Sequence, residues 1–149
     1  MPQGDLTVFN EYTLATMSAV HNLAAAGDVI KVAIITTLPT AADVTPTLGD
    51  YTEVVGTGYA AGGIDIQTGQ SVTVVSGAQY KYDSSVNPSW SQNGSGFTDG
   101  VAALIYNSSK TNQGIAFVDL TTSGGTPPVS LVAGNISVTW NASGIFTVG

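Results

Sequence analysis

From Asp28 onward, apolar and polar residues alternate with a period of two, in short runs broken by Gly, Pro, Asn and Ser. Successive side chains on an extended backbone point to opposite faces, so this rhythm predicts strands. The runs place them at residues 29–36, 51–55, 64–67, 71–76, 79–83, 101–106, 114–120, 136–140 and 145–148. The first run is apolar on both faces and interrupted only by Lys31, which predicts a central strand covered on each side. Residues 67–70, 107–110 and 141–144 have the composition of hairpin turns. The last of these is expected to close a strand pair, with Trp140 before the turn and Phe146 after it.

The first thirty residues follow a different rhythm. Phe9, Tyr12, Met17, Val20 and Leu23 recur near helical spacing, and Ala24, Ala25 and Ala26 lead to Gly27, a residue suited to capping a helix end. A helix over residues 11–26 is one reading; an extended arm that orders against a neighbouring subunit is the other. The expected architecture is therefore mainly β: an N-terminal helix or arm over residues 1–27, then a single β-sandwich of Greek-key or jelly-roll type over 28–149. No internal repeat and no linker divides the 149 residues further.

Composition changes this picture in one respect. Hydrophobic residues make up 43%, enough for a core, but charged residues only 9%, well below the quarter usual in soluble domains. A surface of Thr, Ser, Gly and Asn suits a secreted module or a subunit that ends in an assembly. Ten acidic residues face three lysines and no arginine, for a net charge of −7. Phosphate backbones are bound by releasing counterions with several Lys or Arg, so nucleic acid is not an expected partner, and neither is an anionic membrane. Without cysteine there are no disulfides or thiolate metal sites. The N-terminal residues lack a basic start followed by an apolar run, and no stretch approaches the ~20 apolar residues of a membrane span.

Candidate chemistry is thin. The single histidine, His21, has no Ser or Asp motif around it and reads as an ordinary polar or interface residue rather than a general base. Asp43, Asp50, Glu53, Asp65, Asp83, Asp99 and Asp119 offer carboxylate pairs, but ten acids along any chain do so, and they read as loop acids. Asp83 and Asp99 lack the spacing of a calcium loop. Gly56, Gly58, Gly62 and Gly63 have no Walker lysine and precede a strand, so they predict a tight turn around Tyr59. Tyr80, Tyr82, Trp90 and Phe97 are candidates for a sugar-stacking platform, against the alternative of core or interface. The expected protein is no enzyme, with no catalytic, metal or cofactor residues and no cofactor.

One further pattern spans the chain from Lys31 to the C-terminus. The strand Lys31-Val32-Ala33-Ile34-Ile35 is followed by a Pro-containing loop and Glu53-Val54-Val55-Gly56-Thr57-Gly58-Tyr59-Ala60-Ala61-Gly62-Gly63. Then come Asn87-Pro88-Ser89-Trp90, Ala103-Leu104-Ile105-Tyr106, Ile115-Ala116-Phe117-Val118-Asp119 and Trp140-Asn141-Ala142-Ser143-Gly144-Ile145. In this order they resemble a family of small structural proteins encoded among tailed-phage head and tail genes. The resemblance implies a non-enzymatic virion protein, made in the host cytoplasm. The acidic, arginine-free composition favours the outer capsid surface. There it would act as a decoration (cement) protein whose partners are the major capsid protein and its own copies, a homotrimer being favoured. Residues 1–27 and the loops 38–48 and 121–128 are the expected contact segments. The competing reading is a tail or head-fibre adhesin that binds host carbohydrate through Tyr80, Tyr82 and Trp90.

Overall fold

The computed structural model describes residues 3–12, 20–77 and 79–148. Among these, ten strands run in chain order: β1 (Leu6–Val8), β2 (Ile30–Ile35), β3 (Ile64–Asp65), β4 (Gln70–Ser76), β5 (Gln79–Ser84), β6 (Ser89–Trp90), β7 (Ala102–Asn107), β8 (Gln113–Asp119), β9 (Ile136–Ser137) and β10 (Phe146–Val148). They form three antiparallel sheets with orders β1-β8-β7-β2-β3, β10-β5-β4 and β6-β9. The fold is mainly β and sandwich-like.

The central strands β8, β7 and β2 of the five-stranded sheet are buried on both faces, and the alternation of β2 shows how. Ile30, Val32 and Ile34 point into a core shared with Ala103, Ile105 and Val118 from the same sheet and with Tyr82, Phe146, Trp90 and Ile136 from the two smaller sheets. Ala33 and Ile35 point the other way, into a second cluster with Leu104, Tyr106, Phe117 and Phe9. That second face is closed by loop residues Leu38, Leu48 and Tyr51 rather than by a sheet. Leu38 and Leu48 at the two ends of the 38–48 loop are thus turned onto the chain's own core, while Val44 between them stays exposed. Asp43 fastens this cover by accepting hydrogen bonds from the Tyr51 hydroxyl (2.6 Å) and from Thr40.

Where β7 meets β8, a bulge places Tyr106 opposite Gly114, and Ile115 is the extra residue. The glycine is required there: a Cβ on Gly114 would lie 2.9 Å from the Phe9 ring. The hairpin expected at residues 107–110 does join β7 to β8, with Asn107 opposite Gln113.

Several expectations are corrected. Most of the helix read over residues 11–26 falls outside the described residues. Within them, residues 10–12 are helical and 20–26 are not. Gly27 does not cap a helix; it packs so closely on Asn22 that a Cβ would collide with the Asn22 carbonyl. Leu6–Val8 forms an edge strand on β8. Residues 51–55 reduce to one bridge, Ile35 to Glu53. Residues 67–70 are a 3-10 turn, not a hairpin, because β3 pairs with β2 rather than β4. The turn at 141–144 connects two different sheets, so Trp140 and Phe146 are not partners. The Trp140 indole instead donates to the Val86 carbonyl (2.7 Å), and Phe146 packs on Tyr12 and Tyr82.

Candidate interaction surface

The glycine-rich segment is a structural clamp. The Tyr59 hydroxyl donates to Glu53 Oε1 and accepts from the Ile34 backbone N–H (3.0 Å), so one oxygen joins the loop to the middle of β2. The Gly62 N–H also donates to Glu53 Oε1 (2.5 Å), and the Tyr106 hydroxyl donates to the Gly62 carbonyl (2.7 Å). Gly63 has φ +70°, and a Cβ there would overlap the Val32 carbonyl oxygen. Only glycine allows that approach. Burial raises the Tyr59 phenol well above its usual range, and the hydrogen bond to Glu53 adds to the shift. Burial, with the Glu53 charge, pushes the Tyr106 phenol up to about 12. Neither phenol ionises near neutral pH; both are neutral hydrogen-bonding struts.

The aromatic platform is not on the surface. Tyr82, Trp90 and Phe97 are all at most 5% exposed, and the Tyr59 ring packs on Trp90 and Phe97 at 6.0 and 5.8 Å. Of the four candidates only Tyr80 is exposed.

The acids are dispersed, and most serve local structure. Asp50 accepts from Thr47, Asp65 from the Gln67 N–H, and Asp83 pairs with Lys81 at 3.5 Å. Asp99 lies exposed before β7. Asp119 is fully buried, with Oδ1 bonded to Thr121 and Oδ2 without a partner among the described residues. Among the described residues no group of three or more His, Cys, Asp or Glu converges on a metal-sized site.

His21 lies at the rim of a groove of about 370 Å³ that also touches Tyr12, Leu23, Val72, Tyr80 and Phe146. Its ring stacks on Tyr12, and Nδ1 lies 3.0 Å from Asn107 Nδ2. That amide nitrogen can only donate, so Nδ1 accepts and the proton sits on Nε2, which is buried and unpartnered among the described residues. Desolvation lowers the His21 pKa; Asp28 opposes the shift and Lys110 reinforces it. Asp28 is itself held below its ordinary value. Partial desolvation is outweighed by hydrogen bonds from the Asn22 N–H and Asn107, with Lys110 and His21 contributing.

Sequence reasoning missed the feature that stands out most. Val72, Val74, Val75, Tyr80 and Val148 are five of the seven large hydrophobic side chains left exposed among the described residues, and all belong to the sheet β10-β5-β4. The register explains why. Val72, Tyr82 and Phe146 form one cross-strand row, and Val74, Tyr80 and Val148 form the next. The first row enters the core through Tyr82 and Phe146; the second extends past it into solvent. At the root, Gln70 is buried and fully engaged: its Nε2 donates to the Ala24 and Asp28 carbonyls and its Oε1 accepts from Tyr82.

No family model, curated protein or solved structure matches the chain.

The signal for this surface was present in the run Val72-Thr73-Val74-Val75, which carries no charge. Its alternation predicts a strand, but nothing local reveals that the strand outruns the core. No helix among the described residues is long and apolar enough to cross a membrane.

Proposed function

We propose that the chain is a structural protein of a tailed-phage virion, a capsid decoration protein that binds the outer shell and bridges major capsid subunits. It acts as a small symmetric homo-oligomer, and three copies at a local three-fold axis are the simplest match to a shell. The observation that carries the reading is the apolar, uncharged end of the β10-β5-β4 sheet on a chain of net charge −7. Contiguous exposed apolar surface of this kind marks a protein contact. The ordered resemblance from Lys31 to Ile145 supplies the kind of particle. Its most distinctive segment, Glu53 to Gly63, is occupied in holding the fold together, which suits a scaffold that offers surfaces rather than reactive groups.

The adhesin reading keeps only Tyr80 of its three residues, since Tyr82 and Trp90 are interior. The test is cryo-electron microscopy of intact particles, with the chain fitted to density. Density on the outer shell, in contact with several capsid subunits, is the expected result. Density confined to the tail would overturn the proposal.

A further inference from the structure

We infer that the outer edge of β4 is a self-association site, where a second copy of this chain adds its own β4 antiparallel across a two-fold axis. The inference does not depend on the virion reading.

The first ground is unmet hydrogen bonding. β4 is seven residues long and borders its sheet, with β5 on one side only among the described residues. Beyond β5, Ser71 to Ser76 make no hydrogen bond to any other described part of the chain. Natural edge strands are usually blunted with lysine, proline, inward-pointing charge, a β-bulge or a covering loop. The sequence Gln-Ser-Val-Thr-Val-Val-Ser has none of these residues. A bulge at Val75 is its only irregularity, near the far end.

The second ground is charge. The chain carries −7 overall, so two copies repel over most of their surface. β4 and β10 contain no ionisable side chain. The nearest charges in this sheet, Lys81 and Asp83, alternate with Tyr80 and Tyr82, so they occupy the other face, and they pair with each other. A basic partner would find nothing here to recognise, whereas a neutral edge suits another copy of itself.

The third ground is self-complementarity. With the axis at Thr73, Thr73 faces its own copy, Val72 faces the second copy's Val74, and Val74 faces its Val72. Residues directly opposite in an antiparallel pair share a face. The exposed apolar rows of both copies therefore join on one side, and the Thr73 pair lies on the other. Pairing β4 with β10 in a head-to-tail ring would match seven residues to only three. The two-fold arrangement uses the whole edge. An edge about 24 Å long gives an interface below the standard size, so the free pair is weak and concentration-dependent. On a shell, the same pairing would join one three-fold cluster to the next.

The test is sedimentation velocity of the full chain from micromolar to millimolar concentration, with Val72→Glu, Val74→Lys and an equimolar mixture of the two. Both positions are exposed, and circular dichroism melts check that each variant is folded. Without a shell to gather the three-fold cluster, the wild type is expected to move from monomer to dimer. Each variant alone should weaken association about tenfold or more, because it brings an unpaired charge to an apolar contact. The mixture should recover dimer, since the carboxylate introduced on one copy then faces the ammonium introduced on the other; a merely misfolded variant would not be rescued this way. A wild type that stays monomeric at millimolar concentration overturns the inference, as do variants that associate like the wild type. A monomeric wild type that binds particles through these valines would assign the edge to a different protein, and overturns it equally.

Discussion

The strands β2 and β4 are built from similar material and meet opposite fates. β2 reads Ile-Lys-Val-Ala-Ile-Ile, and five of its six residues are buried. β4 reads Gln-Ser-Val-Thr-Val-Val-Ser, and only Gln70 is buried. Both alternate, and both are rich in β-branched residues that fit an extended backbone. The difference is what lies beside and above them. β2 has strands on both flanks and packed side chains over both faces. Among the described residues β4 has one flank, and only the row nearest its root is covered. Apolar content therefore does not by itself identify a core strand; a strand with the same pattern can serve as an interface.

The sharpest way to break β2's environment is to disturb its tightest contact. Gly63→Ala should cost about 3 kcal/mol or more, because the methyl group would collide with the Val32 carbonyl and the residue sits at positive φ. Urea denaturation should show the loss, or the variant should fail to fold. Leu104→Ala, in the interior beside β2, should cost about 2–5 kcal/mol. Tyr59→Phe keeps the ring packing but leaves the Ile34 N–H without its acceptor and removes one of the two donors to Glu53 Oε1. A loss of about 2 kcal/mol is expected, with little change in the near-ultraviolet signal of Trp90. Val74→Ala, in the exposed row, should stay within about 0.5 kcal/mol at dilute concentration. Equal losses in Leu104→Ala and Val74→Ala would mean that the outer row of the β4 sheet is part of the core after all.

The smallest effect is on pH dependence. His21 has a folded pKa below its ordinary 6.5, so the unfolded chain binds the proton more readily. Its contribution to stability is complete above about pH 6.5 and falls as pH drops toward the lowered folded value. Asp28, also lowered, adds a separate loss as pH falls below its ordinary 3.8. Denaturation midpoints across this range should decline at two places, and His21→Asn should remove the upper decline alone. An unchanged upper decline in that variant would trace the proton to another group.

The sequence foretells those parts of the fold that depend on local alternation. Residues 29–36, 101–106 and 114–120 lie within a residue or two of β2, β7 and β8, and the turn after Asn107 has its expected role. The sequence is silent where pairing is decided at a distance. Leu6–Val8 is three residues long and finds its partner more than a hundred positions away on β8. The loop over the second face has no period, because Leu38, Leu48 and Tyr51 are placed by turns rather than by a regular backbone. Tyr80 and Tyr82 share one strand face, yet one is solvent-exposed and the other interior, since the core ends between them. The glycine spacing did announce a tight turn around Tyr59. It did not announce that Glu53 would hold the turn shut.

That arrangement has an evolutionary consequence. Position 53 supplies the acceptor, 59 the hydroxyl that turns it toward β2, 62 a second donor, and 63 the space that lets the segment lie against the strand. Each single change costs the others a partner, so the segment is expected to be inherited as one block. Among descendants of this chain, positions 53 and 59 should change together or not at all. The exposed valines of β4 hold no such interlocked contacts within the chain and should vary more freely.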